Sequence, residues 1–206
     1  MKMDIIIVGV GGQGILLASR VLGRLAMDAG QDVKVSEVHG MSQRGGDVIT
    51  HVRIGTAVQS PLIEEGTADA IIAFEQMEAV RALPYLKKGG VVITNTQRIA
   101  PMPVLSGTAK YPEGLLETLR SVGGLFAFDA LCVARACGAQ RAVNIVLLGA
   151  YAQKQAGNKE AWLKAVAACV PQKTTEANRR AFEAGWDAAK EDETHGQERN
   201  ETPDLG

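Results

Sequence analysis

Asp4-Ile-Ile-Ile-Val-Gly-Val-Gly-Gly-Gln-Gly14 decides the fold, because an apolar run of strand length ends in glycines and passes directly into a helical pattern. That pattern runs from Ile15 to about Ala29, with Leu16, Ser19, Leu22, Gly23 and Ala26 on one face, and Gly30 ends it. Strand, tight loop and helix N-terminus in this order present backbone N–H groups at a sheet edge, where an anion or a cofactor can approach. Gly9, Gly11 and Gly14 have the G-x-G-x-x-G spacing, in which missing side chains permit a tight turn, close approach of backbone to phosphate and close packing of the helix. Any α/β protein that must turn from strand to helix can need the same glycines, so two readings stand at this point.

The chain has 206 residues and a formal charge of −1, with acidic and basic residues mixed along its length. This is enough for one α/β core, and it offers no basic patch for nucleic acid or an anionic membrane. No apolar run approaches the roughly 18 residues of a membrane span, and the N-terminal run has strand length without a signal-peptide cleavage site, so a cytoplasmic location is expected. Cys132, Cys137 and Cys169 lack C-x-x-C spacing and read as small buried hydrophobes. His39, His51 and His195 have no partner at metal-ligand spacing.

Val33 to Val38 reads as a second strand and Val48 to Ile54 as a third, with Val48, Thr50, Val52 and Ile54 alternating against Ile49, His51 and Arg53. Between them His39-Gly-Met-Ser-Gln-Arg-Gly-Gly-Asp47 has nine residues and three glycines. A parallel crossover needs a dozen or more residues, usually helical, so these strands are not joined by a regular βαβ unit. That argues against a conventional dinucleotide fold, although Glu37 lies at a suitable distance after the glycines to meet a ribose hydroxyl. Further on, Asp69 to Phe74 reads as a buried, parallel-type strand, Val91 to Thr94 as a strand after Lys87-Lys-Gly-Gly90, and Leu125 to Phe128 as a short one. Helices are expected at Glu75 to Leu83, Glu113 to Ser121, Ala130 to Cys137 with Asp129 as its cap, Ala142 to Gln155, Lys159 to Ala168 and Thr175 to Lys190. Gln97 to Leu105, with Pro101 and Pro103, reads as extended connection or edge strand. The chain thus divides into a domain over residues 1–190 and a polar, disordered tail over 191–206.

Ligands of open α/β sheets gather outside the carboxyl ends of the strands, an edge that here carries Gly11 to Gly14, His39 to Asp47, Phe74 to Gln76 and Asn95 to Gln97. The amides around Gly45-Gly46 can form an anion nest, Arg44 can make a forked contact with phosphate or carboxylate, and Ser42 and Gln43 add neutral donors. A solvated turn explains the same glycines. His39 suggests acid–base work, but the sequence shows no serine, cysteine or carboxylate paired with it, which favours a structural hydrogen bond. Asp69 and Glu75 flank a strand, where carboxylates often only cap helices. With no catalytic constellation, the edge reads as one wall of a site completed by another chain. A stand-alone nucleotide-binding module or NAD(P)-linked oxidoreductase is the competing reading.

Ile7-Val-Gly-Val-Gly-Gly-Gln-Gly-Ile15, Ser36-Glu-Val-His-Gly-Met-Ser-Gln-Arg-Gly-Gly46, Asn95-Thr-Gln97 and Asn178-Arg-Arg-Ala-Phe-Glu-Ala-Gly185 together resemble the gamma-type domain of 2-oxoacid:ferredoxin oxidoreductases, over most of Met3 to Trp186. The second motif and the stand-alone length are most similar to the branch acting on indolepyruvate. The resemblance implies a three-layer α/β/α Rossmann-like domain with a mainly parallel sheet, as in the gamma domain of pyruvate:ferredoxin oxidoreductase. It implies oxidative decarboxylation of an aryl 2-oxoacid to an acyl-CoA, using thiamine diphosphate, Mg and iron–sulfur clusters that pass electrons to ferredoxin. This chain has no G-D-G thiamine motif and no ferredoxin-like cysteine run, which in the family belong to a larger alpha subunit. By position, the resemblance marks Gly11, Gly12, Gln13, Gly14, Ser42, Gln43, Arg44, Gly45 and Gly46 for contact with coenzyme A or the partner. It assigns no catalytic or metal-binding residue to this chain.

Overall fold

The structure, a computed structural model, describes residues 2–39 and 47–200, with side chains through residue 192. The strands are β1 (Met3–Val10), β2 (Asp32–His39), β3 (Asp47–Gly55), β4 (Ala68–Ala73), β5 (Leu86–Asn95) and β6 (Leu125–Phe128). The helices are α1 (Ile15–Asp28), α2 (Gln76–Ala82), α3 (Met102–Leu105), α4 (Leu115–Arg120), α5 (Ala130–Ala136), α6 (Val143–Lys154), α7 (Lys159–Cys169) and α8 (Thr175–Asn200).

The six strands form one sheet in the order β2-β3-β1-β4-β5-β6. β1, β4, β5 and β6 pair in parallel, whereas β3 runs antiparallel to both β1 and β2. The short link after β2 therefore returns the chain as an antiparallel strand, as its length requires, and β3 occupies the place beside β1. Strands buried on both faces need no alternation, which is why β1 and β4 read as continuous Ile, Val and Ala runs. Ile5, Ile7, Ile72 and Ile93 pack one face against α1, α6 and α8. Ile6, Val8, Ile71 and Val92 pack the other, whose helical cover includes Ala79 and Ala82 of α2 and Leu119 of α4. The result is the three-layer, mainly parallel α/β architecture that the family resemblance implies.

Four local expectations are corrected. Met102–Leu105 is a helical turn and not extended chain; Pro101 caps it and Pro103 lies in its first turn, where a missing N–H costs nothing. The helix α8 continues to Asn200, past the boundary expected at residue 190. Extending a helix already nucleated and packed needs no apolar periodicity, and Lys154 pairs with Asp192 at 3.1 Å along it. Residues 201–206 lie outside the described part. Leu16 points to solvent, the buried face of α1 being Ile15, Ala18, Ser19, Val21, Leu22 and Ala26. Finally, the cysteines are not core residues: Cys132 is exposed, while Cys137 and Cys169 are half-buried at helix ends, each donating to a carbonyl, of Ala134 and Arg20 respectively.

Candidate functional site at the glycine edge

The glycine loop is held rigidly from several sides. Gly14 caps α1 in the left-handed conformation (φ 84°) with no side-chain cap, so no capping side chain covers the Ile15 and Leu16 N–H groups, while Leu17 N–H donates to the Gly14 carbonyl at 3.1 Å. The Gly14 carbonyl accepts from Asn144 Nδ2 at 3.1 Å, and a Cβ on Gly14 would come within 2.7 Å of that nitrogen. Asn144 Oδ1 accepts from the Ile145 N–H at 3.0 Å, so one buried carboxamide locks the loop to the start of α6. Gln13 folds inward. Its Oε1 accepts from Val10 N–H at 2.7 Å and its Nε2 donates to the Phe74 carbonyl at 3.2 Å.

Two further buried groups complete this frame. Asn95 donates through Nδ2 to the Phe74 carbonyl and to Gln97 Oε1, both at 3.3 Å, and its Oδ1 accepts from Ala130 N–H at 3.1 Å. Asn95 thereby joins the ends of β4 and β5 to the start of α5, and Gln13, bonded to Val10 and Phe74, adds the end of β1. Glu75 caps α2 through bonds from Met77 and Glu78 N–H at 2.8 and 3.1 Å, and accepts from Ile99 N–H at 3.4 Å and from the Tyr111 hydroxyl. Burial and the Glu75 carboxylate push the Tyr111 hydroxyl well above the usual phenol range, so it stays a donor. The segment between β5 and α4 is pinned over the edge by these bonds.

A cleft of ≈ 460 Å³ opens on one side of the loop, lined by Gly12, Gln13, Gln97, Gln140 and Arg141, with Phe74, Ile99 and Val143 as apolar wall. A second, of ≈ 310 Å³, opens on the other side between Gly11–Leu16, Glu37, His39 and Val48. An exposed guanidinium, carboxamides and backbone N–H groups suit an anion such as a phosphate. Among the described residues no group of three or more His, Cys, Asp or Glu is placed to hold a metal. Cys132 and Cys137 lie on and at the end of α5 and Cys169 ends α7, with no four cysteines grouped for an iron–sulfur cluster among the described residues, and the Glu75 carboxylate is occupied by its four donors.

Of the residues marked by sequence, Gly11, Gly12, Gln13 and Gly14 meet at these clefts, although the Gln13 amide is engaged within the protein. Ser42, Gln43, Arg44, Gly45 and Gly46 lie outside the described residues. Sequence reasoning did not single out Arg141 or Asn144, and the asparagine within the apolar Ala142 to Leu148 run was the available signal. It also missed the partner of His39: Glu37, two residues earlier on the same strand, bonds it at 2.6 Å. The period of two along a strand would have found that pair.

The fold and this edge define a class, an α/β domain with framed polar clefts at the carboxyl ends of its parallel strands and, among the described residues, no group of three or more His, Cys, Asp or Glu placed to hold a metal. Residues 4–188 match the family described as pyruvate ferredoxin/flavodoxin oxidoreductase, and the chain belongs to that family. It is 46% identical over 198 residues to the indolepyruvate oxidoreductase subunit IorB of Thermococcus kodakarensis, covering 92% of this chain and 97% of that one. The gamma subunit of a keto/oxoacid ferredoxin oxidoreductase from Geobacter sulfurreducens superposes with a TM-score of 0.67 at 28% identity, covering 91% of this chain and 98% of that one. The 2-oxoglutarate:ferredoxin oxidoreductase of Magnetococcus marinus, solved with 2-oxoglutarate, coenzyme A and succinyl-CoA bound, shares the fold at 20% identity and a TM-score of 0.68. There the match covers 92% of this chain and 31% of the longer one. The protein is thus a small subunit of a multi-subunit 2-oxoacid oxidoreductase, similar to IorB over nearly its whole length.

Proposed function

We propose that this chain is the cofactor-free subunit of a thiamine-diphosphate-dependent 2-oxoacid:ferredoxin oxidoreductase that converts indolepyruvate and other arylpyruvates to aryl-acetyl-CoA and CO2. Its partner is a larger alpha subunit that carries thiamine diphosphate, Mg and iron–sulfur clusters and reduces ferredoxin in the cytoplasm. The observation that carries this reading is the glycine edge, where two clefts flank Gly11 to Gly14, one of them with Arg141, Gln140 and Gln97 on its wall, and where the described residues hold no metal-ligand group. Such a wall suits the phosphates of coenzyme A, while the redox chemistry is supplied from the other chain. Gly11, Gly12 and Gly14, together with Ser42 to Gly46, are the backbone and side-chain contacts assigned to that ligand or to the partner.

An independent NAD(P) module is not favoured. β3 separates β2 from β1, and the Glu37 carboxylate that would meet a ribose already accepts from Thr50 and pairs with His39. The test is reconstitution. The isolated chain is expected to be colourless, free of iron and thiamine and inactive, and addition of the larger subunit is expected to produce arylpyruvate- and CoA-dependent reduction of ferredoxin or a viologen. Full activity from either subunit alone refutes the assignment, and tight NAD(P) binding by calorimetry favours the module instead.

A further inference from the structure

Glu37 and His39 stand two apart on β2 and share a face of the sheet, and Thr50 lies directly across the β2–β3 ladder from Glu37. The three side chains form a graded chain from core to surface. Thr50 is fully buried, the Glu37 side chain is 12% exposed and that of His39 59% exposed. Thr50 Oγ1 donates to Glu37 Oε2 at 3.1 Å, and the other carboxylate oxygen holds His39 Nε2 at 2.6 Å. A carboxylate only accepts, so the proton on the neutral imidazole sits on Nε2 and Nδ1 carries the free lone pair. Both Glu37 and His39 line the ≈ 310 Å³ cleft whose opposite wall is the glycine loop. An oriented imidazole backed by a fixed carboxylate at a ligand cleft is the arrangement of a general base. The other candidates are engaged: Glu75 has four donors on its oxygens, and His51 Nδ1 accepts from Ile63 N–H in the interior.

We propose that His39 is the base that takes the thiol proton of coenzyme A, an inference that rests on the CoA-dependent reading above. Overall, an oxoacid anion and a thiol become a thioester, CO2, one proton and two electrons. The carboxylate C–C bond and the S–H bond break, a C–S bond forms, and the electrons pass to the iron–sulfur acceptor. The thiol is the source of the released proton. His39 Nδ1 receives it, the S–H electron pair stays on sulfur, and Glu37 balances the imidazolium.

The experiment uses the reconstituted complex carrying His39→Gln or Glu37→Gln, with assembly followed by size-exclusion chromatography. At saturating CoA, His39→Gln is expected to lower turnover about 100-fold or more and to remove the acidic limb of the pH profile of kcat/KM for CoA. Added imidazole is expected to restore part of the rate in His39→Ala, and Glu37→Gln to lower turnover while keeping the limb. A pH profile and turnover of His39→Gln within about twofold of wild type, in an assembled complex, overturns the role of His39. A wild-type complex that oxidises the oxoacid without any dependence on CoA overturns the underlying reading, and with it this one.

Discussion

Single side chains hold the glycine edge, and their worth can be measured separately from ligand contact. Asn144 bridges the Gly14 carbonyl and the Ile145 N–H from a buried position, so Asn144→Ala removes two hydrogen bonds that tie the loop to α6, although Gly14 O still accepts from Leu17 and Ala18 N–H and Ile145 N–H still donates to the Ala142 carbonyl. A loss of about 1–3 kcal/mol in chemical denaturation is expected, with weaker CoA affinity following from the loosened loop. Arg141 behaves differently because its side chain is exposed at the cleft rim. Arg141→Gln is expected to leave the unfolding midpoint nearly unchanged and to raise KM for CoA roughly 10-fold or more, the effect of one lost charge-assisted contact. Initial rates at limiting CoA decide this, and an unchanged KM removes Arg141 from the site.

At the scale of elements, the closest packing is the crossing of α6 with α8. A Cβ on Gly149 would lie 2.1 Å from the Phe182 carbonyl oxygen, and one on Gly185 would lie 1.9 Å from that of Val146. Both obstructions are backbone, so relief requires the helices to move apart and to disturb the buried Phe182 and Tyr151. Gly185→Ala is expected to destabilise the protein by about 1–3 kcal/mol despite alanine's better helix propensity. Gly23 in α1 supplies the control. Nothing lies within 4 Å of its Cβ position, so Gly23→Ala is expected to stabilise by up to about 1 kcal/mol. Urea midpoints of the two variants, moving in opposite directions, check the pair.

For the whole molecule, pH acts on stability through His51, which joins β3 to the segment before β4. Burial lowers its pKa from the ordinary 6.5, and its Nδ1 accepts from Ile63 N–H at 3.1 Å, a bond that protonation destroys. A depressed folded-state pKa contributes stability that is present above the unfolded value near 6.5 and lost as pH falls through the lower folded value. Wild type is therefore expected to lose denaturant resistance more steeply than His51→Gln as pH is lowered from 7 to about 5. Parallel slopes would sink this expectation.

Legibility in the sequence followed distance along the chain. Ile5 to Val8 as strand, Gly14 as helix start and Asp129 as cap of α5 depend on neighbours within a few residues, and local sterics and backbone hydrogen bonding decide them. The shortness of the link after His39 likewise excluded a parallel crossover before any contact was known. Its consequence for order was not legible: whether β3 would lie outside β2 or between β2 and β1 depends on the pairing of Ile7 with Thr50. The site divides in the same way. Glycines at 11, 12 and 14 announce a tight loop by themselves, whereas the asparagine that locks it lies 130 residues beyond Gly14, and the Ala130 N–H that Asn95 holds lies 35 residues on. Side-chain periodicity tells which face a residue occupies but not what stands opposite. Those partners are selected only when the two sheet faces bury their apolar side chains and bring the ends of β1, β4 and β5 to a common edge.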